Sequence, residues 1–369
     1  MEERELVYLC ALSRVLLFRP AAVRAVLSAG YLREIFEGPA DAVRELFRGD
    51  GETVAKLRDP ALPGRTAEDL EWMRRRGVAV LGLPDGRYPR LLRECADAPP
   101  VLYYAGTADL NGERSLSVVG TRLASQYGRE SCRVLAAYFA EKGYRPLLVS
   151  GLAFGIDICV HRAALDFGME TVGVLACGID RIYPCAHRGD AVRMTEAGGI
   201  LTEFPRGTPP LKIHFIKRNR IIAGMTQGVL VAESRIRGGA MSTAEFAAGY
   251  GREVFALPGR MDDANSYGCN YLIAKNVARI CNHPSAVPEA LGWAPGSTAE
   301  IGGQYRLFSG EESEKQKIIV SLNTRSPADT ETICNRTGLT FRQVSLLLLE
   351  LELEGRIACG PDNQYRIRK

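Results

Sequence analysis

Residues 205–232 read PRGTPPLKIHFIKRNRIIAGMTQGVLVA and carry Arg206, Lys212, Lys217, Arg218 and Arg220 without one acidic side chain. His214 and Phe215 are interleaved with these cations. Positive charge tracks a phosphate backbone, and an aromatic ring stacks on an unpaired base for about 1–3 kcal/mol. A duplex hides that base face, so the pattern suits a single strand. It suits equally a solvated basic helix face with Phe215 turned into a core.

Three short loops add phosphate-binding chemistry. Gly120-Thr121-Arg122 (with Ser125), Ser150-Gly151-Leu152-Ala153-Phe154-Gly155 and Arg235-Ile236-Arg237-Gly238-Gly239 each follow an apolar run. The second leads into a helical pattern at about Ile156, the third near Ser242. Glycine lets the backbone approach a ligand closely, Arg122 and Arg237 add charge-assisted donors, and helix N-termini attract anions. One such loop reads as a tight turn. Three along one sheet edge read as a binding edge, because ligands of doubly wound sheets sit outside the carboxyl ends of the strands.

Other reactive residue types read as structural. Ser150, Asp157 and His161 fall in one short segment, and Asp157 and His161 share a helix face. No GxSxG elbow surrounds Ser150, and a Ser and an Asp at a helix start cap it and offset its dipole. Cys177 and Cys185 flank a turn with only His187 nearby, which is no metal-ligand spacing. None of the Lys residues follows a Gly, so there is no Walker A loop. VVGTRLASQYG lacks GxGxxG, which disfavours NAD and FAD. The reading is of a binding protein that is not an enzyme, with no catalytic residue, no cofactor and no metal.

The elements that must position these loops follow from periodicity. Apolar runs at SVV (117–119), LLV (147–149), VGVL (172–175), GIL (199–201), VLV (229–231) and VFAL (254–257) alternate with helical patterns. Strand, crossover helix and strand need about 30 residues, which is this spacing, so the fold class is α/β with a parallel sheet covered on both faces. Residues 1–75 read as short helices, with Leu6, Leu9, Leu12 and Leu16 near helical spacing and stops at Gly30 and Gly38-Pro39. Residues 76–114 form a connector that alternates strand-like and turn-like pieces around Pro84, Pro89 and Pro99-Pro100, and the sheet core runs on to 290. Residues 291–311 are a Gly-, Ser- and Pro-rich linker. In 312–369, helices at Lys315–Leu322, Pro327–Asn335 and Phe341–Glu354 precede the hairpin RIACGPDNQYRI, which predicts a winged-helix C-terminal domain.

Composition bounds the class. The 369 residues are 46% hydrophobic and 24% charged, with a mean hydropathy of -0.07, as in a globular protein. No run of about 18 apolar residues exists, so no membrane span is expected. MEERELVYLC has an acidic start and no apolar core of a secretory signal. Ten Cys without a CxxC pair, beside four His, argue against structural zinc and a disulfide framework and fit reduced thiols in a cytoplasmic protein. The net charge of +4 is mild. Most of the basic residues are Arg, whose fork suits phosphate, although a general bias toward Arg accounts for it at most positions.

SVVGTRLASQYG, SGLAFGIDICVHRAAL, VLACGIDRIYP, LTEFPRGTPPLKIHFIKRNRIIAG and TAEFAAGYGREVFALPG occur in this order. Together they make the chain similar to the DNA-processing protein A (DprA/Smf) family, strongly over about 110–285, also across the winged-helix tail (about 312–369), and more loosely over the N-terminal helices. The resemblance implies an extended Rossmann-like core, a sterile-alpha-motif-like N-terminal domain and a core-mediated homodimer. It also implies a protein that binds single-stranded DNA, protects incoming DNA in natural transformation and loads the RecA recombinase. By position, Arg122, beside Gly120 in the GTR turn, matches a phosphate-binding Arg, and Lys212 and Phe215 match a phosphate Lys and a base-contacting aromatic. Ser150 and Gly151 would offer phosphate contacts at a helix N-terminus. Asn219 lies with Arg218 and Arg220 in the RNR signature, where an Arg can also anchor the helix to neighbouring loops.

The chain departs from the family pattern in three places. Gly238-Gly239-Ala240 stands where the family shows Ser-Gly-Ser, so Arg237 and backbone amides must suffice there. Ile216 replaces the Pro of FPxRNR. VLLFRPAAV lacks a Gly-x-Gly hairpin, so no DNA contact is assigned to the N-terminal segment. In the winged helix, Glu350, Glu352 and Glu354 accompany only Arg342 on the third helix, which points to a protein-contact or core-docking role. The alternative function is enzymatic. RGGAMSTAE resembles the PGGxGTxxE element of nucleotide phosphoribohydrolases of the Lonely Guy type, in which Glu245 would assist N-glycosidic cleavage.

Overall fold

The computed structural model describes residues 2–295, 315, 317–322, 327–360 and 364–367. They fall into two compact units, Met1–Ser297 and Thr298–Lys369. The strands of the first are β1 (Ala79–Gly82), β2 (Val101–Gly106), β3 (Ser115–Gly120), β4 (Leu147–Ser150), β5 (Thr171–Val174), β6 (Gly198–Thr202), β7 (Gly228–Glu233), β8 (Glu253–Ala256) and β9 (Arg279–Ile280). They form one nine-stranded sheet in the order β1-β2-β6-β5-β4-β3-β7-β8-β9.

From β6 to β9 every neighbouring pair is parallel. The connector contributes more than a link: β2 runs antiparallel to both β6 and β1, so the expected parallel sheet carries an antiparallel edge. An antiparallel neighbour needs no crossover over the sheet, and residues 83–100, punctuated by Pro and holding one short helix, return the chain from β1 to β2. Starting from β3, the chain winds outward through β4, β5 and β6, then returns to lay β7 on the other side of β3. That reversal opens a crevice outside the carboxyl ends of β3 and β7.

The helices of this unit are α1 (Glu3–Val15), α2 (Pro20–Ser28), α3 (Leu32–Glu37), α4 (Ala40–Leu46), α5 (Gly51–Leu57), α6 (Ala61–Arg74), α7 (Arg90–Glu94), α8 (Gln126–Glu141), α9 (Ile156–Asp166), α10 (Arg188–Glu196), α11 (Lys212–Gly224), α12 (Gly239–Gly249), α13 (Tyr267–Ala274) and α14 (Ala286–Leu291). Alternation along the strands serves two cores. Leu116, Val118 and Leu148 pack with Leu135 of α8 and Val160 of α9. Val119, Val149 and Val174 pack on the opposite face with Ile222 of α11 and Ala244 of α12. The N-terminal helices are continuous with the sheet. Leu9, Leu12, Ile35 and Met73 share a core with Val101 and Tyr103 of β2.

In the second unit α15 (Thr330–Thr337) and α16 (Phe341–Leu353) are followed by a hairpin of β10 (Ile357–Cys359) and β11 (Tyr365–Ile367). Residues 315 and 317–322 are helical, and Ile318, Leu322, Ile333, Val344, Leu348 and Ile357 form the core. Helix α15 starts later than the expected Pro327 because Ala328 bridges to Tyr365 and Asp329 caps the helix. Residues 296–311 of the expected linker lie outside the described residues. Among the described residues no helix is long and apolar enough to cross a membrane.

Candidate nucleic-acid interface

A cavity of about 670 Å³ occupies the crevice outside β3 and β7. Gly120, Thr121 and Arg122 wall it from the β3–α8 loop, and Arg235, Arg237, Gly238 and Gly239 from the β7–α12 loop. Lys212, Phe215, Ile216 and Asn219 reach it from α11, with Tyr183 beside them. Lys212, Phe215, Ile216 and Asn219 recur at helical spacing, which is why one face of α11 carries them all.

The Arg122 guanidinium carbon sits 5.2 Å from the Phe215 ring centroid, and Tyr183 meets the same ring edge-on at 5.6 Å. Arg122, Lys212 and Arg237 are exposed and have no carboxylate partner among the described residues. Asn219 is placed by its amide, which donates to the Ser242 hydroxyl at 3.0 Å and to the Gly239 carbonyl at 3.3 Å, tying α11 to α12. Cations facing open space beside an aromatic ring can receive phosphates and a base together.

Four expected contact residues do other work. Arg218 is 3% exposed, and its Nη1 donates to the Gly151 carbonyl at 2.7 Å and to the Val174 carbonyl. Burial lowers its pKa to about 10, against the opposing pull of Asp157. Arg220 is buried in an ion pair with Glu203. The Ser150 hydroxyl is fully buried and donates to the Val118 carbonyl at 2.6 Å. The Gly151 amide donates to the Asp157 carboxylate at 3.2 Å, and the Ala153 amide does so at 3.3 Å. Asp157 thus takes the place an anion would hold at the start of α9, and burial raises its pKa. Gly151 is required by packing, since a Cβ there would run into the Arg218 guanidinium.

His161, also read as structural, is fully buried against the Thr171 hydroxyl at 2.7 Å, and burial lowers its pKa to about 3. Burial raises the Cys177 thiol to about 11. Glu245 is exposed on α12 and is not among the residues lining the cavity. Among the described residues no group of three His, Cys, Asp or Glu could hold a metal ion.

Sequence reasoning missed Glu233. Its backbone carbonyl accepts the Thr121 amide at 2.8 Å, and its carboxylate accepts both the Ser125 amide at 2.9 Å and the Ser125 hydroxyl. It clips the turn that presents Arg122 at both ends. The available signal was an acid at the end of an otherwise apolar strand, VLVAE. Tyr183 and Ser242 were not assigned to the site either, although Tyr183 lies within VLACGIDRIYP.

A doubly wound core whose switch-point cavity is lined by exposed cations and an aromatic, followed by a winged helix, defines a Rossmann-like protein with a basic cavity. A family model described as DNA recombination-mediator protein A matches residues 79–292, and one described as DprA winged helix domain matches residues 309–363. The chain belongs to the DprA/Smf family. It is 33% identical to Protein Smf of Escherichia coli over 84% of this chain and 83% of that protein. It is 34% identical to DNA processing protein DprA of Streptococcus pneumoniae over 69% of this chain and 91% of that one. The solved DprA of Streptococcus pneumoniae superposes with a TM-score of 0.62 at 31% identity, covering 76% of this chain and 95% of that one. DNA processing protein A of Helicobacter pylori, solved for its single-stranded DNA binding mode, gives 0.53 at 26% identity over 59% of this chain and 97% of that one.

Proposed function

We propose that this protein binds single-stranded DNA in the switch-point cavity and acts in DNA processing during transformation and recombination. The observation that carries this reading is the convergence of Arg122, Lys212, Arg237 and Phe215 on one cavity. Exposed charge there can neutralise phosphates, and the ring beside it can meet a base. The Helicobacter pylori relative, with its single-stranded DNA binding mode, supports the same assignment. In its finer form the protein protects incoming DNA and loads the RecA recombinase, works as a homodimer in the cytoplasm, and breaks no bond. The position of Glu245 outside the cavity lining supports binding rather than nucleotide cleavage.

The test is fluorescence anisotropy of labelled oligo(dT) and of a matched duplex at two salt concentrations. Preferential binding of the single strand, weakening steeply with salt, is the expected result. Equal affinity for both, or no binding, overturns the proposal. RecA nucleation on the same oligonucleotide, with and without the protein, tests the loading role. Incubation with nucleoside monophosphates tests the alternative, and no released nucleobase is expected.

A further inference from the structure

Phe18 lies between α1 and α2, in the segment to which the sequence assigned no DNA contact, and its ring is 40% exposed. Lys217 of α11 places its Nζ 5.8 Å from the ring centroid, a second cation–aromatic pair beside that of Arg122 and Phe215. Phe18 is supported from beneath. Phe204 meets it edge-on at 6.3 Å and His214 lies at 5.7 Å. His214 is itself stacked on Phe204 at 4.4 Å. The ring is therefore held in place with part of its surface open.

Between the two pairs α11 exposes Ile213 and Ile216, at 47% and 48%, and Ile216 also lines the cavity. The surface from the cavity to Phe18 is thus apolar, flanked by Lys212 and Lys217, and residues 205–232 supply no acid to repel phosphate. Arg19, next to Phe18, is already paired with Asp50, which neutralises the nearby carboxylate.

We propose that Phe18, Ile213 and Lys217 form a second subsite for the same single strand, with DNA leaving the cavity crossing α11 to stack a base on Phe18. The proposal rests on the single-strand reading of the cavity. A helix is about 10–12 Å across with its side chains, a width that a few nucleotides of an extended strand span. A stacked base needs an unpaired face, which excludes duplex as the occupant. Continuity with the cavity, and Lys212 and Lys217 standing without an ion-pair partner among the described residues, favour nucleic acid over a protein partner.

The test uses the full chain with labelled oligo(dT) of about 4 and about 16 nucleotides, the range of single-strand site sizes. Phe18→Ala weakens the long oligonucleotide by at least about fivefold, the lower bound for one base–aromatic stack, and leaves the short one bound as tightly as by the wild type. Phe18→Tyr restores the long-strand affinity. Lys217→Gln lowers the salt slope on the long strand by about 0.7, the value for one phosphate contact. Unchanged binding of both lengths by Phe18→Ala overturns the proposal. So does an equal loss on both lengths, which marks a packing role beneath α11, and so does an equal loss on duplex. A wild-type chain that binds neither oligonucleotide overturns the cavity reading itself, an outcome separate from any result with Phe18.

Discussion

The guanidinium of Arg122, on the loop after β3, lies over the ring of Phe215 on α11, 5.2 Å from its centroid. Two residues far apart in sequence meet because the switch in strand order brings the carboxyl end of β3 against the helix that returns from β6. Both side chains line the cavity, and Arg122 is exposed there. On the proposed function, a phosphate and its neighbouring base would meet this one contact pair.

Arg122→Ala is expected to weaken all single-stranded sequences alike and to lower the salt slope by about 0.7. Phe215→Ala costs about 1–3 kcal/mol of binding with a smaller change in slope. The double variant loses less than the sum, because the two residues touch. Anisotropy titrations at several salt concentrations measure all three. Strict additivity is the contrary result.

Arg220 and Glu203 form a buried ion pair, and each leaves one side-chain atom, Nη1 and Oε1, without a hydrogen-bond partner among the described residues. Arg220→Met alone strands a buried carboxylate and is expected to cost about 3–5 kcal/mol of stability. Combining it with Glu203→Leu recovers most of that loss, since neither charge then needs solvation. Urea unfolding of the single and double variants decides the matter. A double variant as unstable as the single would show that the pair is favourable in its own right.

Gly155, with φ of +78°, ends the β4–α9 loop, and a Cβ there would collide with the Thr121 carbonyl oxygen and the Arg122 backbone. Gly155→Ala combines strain of about 1–3 kcal/mol with that clash. The turn carrying Arg122 must shift, so DNA affinity falls together with the unfolding midpoint. A loss of stability with unchanged affinity would separate the loop from the site.

His161 fixes a pH dependence. Its unfolded pKa is about 6.5. In the fold, burial pushes it down to about 3, and the Arg218 charge adds to the effect. The unfolded chain therefore takes up the proton first. The contribution is full above about pH 6.5 and is lost as pH falls toward about 3, at up to about 1.4 kcal/mol per pH unit. His161→Gln should unfold with a correspondingly shallower loss between about pH 6.5 and 5. Parallel curves for the variant and the wild type would show that another group dominates.

Much of the core was legible from local pattern. Apolar runs at the spacing of a βα repeat mark buried parallel strands, and β3 to β8 fall on them because only both-sided burial tolerates unbroken runs. The strand-like pieces of the connector were legible, but their antiparallel pairing was not, because β2 joins β6, a segment far along the chain. At the site, the acid-free stretch around Lys212 and Phe215 pointed to a basic, aromatic surface by composition alone.

What composition could not assign was the job of each cation. Lys212 and Arg218 look alike in the sequence and both line the cavity, yet Lys212 is exposed while Arg218 is buried and spent on the carbonyls of Gly151 and Val174. That division depends on the phase of α11 and on which strand ends lie beneath it. Asp157 reads as an ordinary helix-start acid, and only the folded loop shows it occupying the anion position at α9. Phe18 likewise gains its place beside Lys217 from the docking of the N-terminal helices against the sheet. Periodicity and residue type determine which segments are buried and which surfaces are charged. Contacts between distant segments depend on how the whole chain packs, and those contacts decided which side chains were left free to meet a ligand.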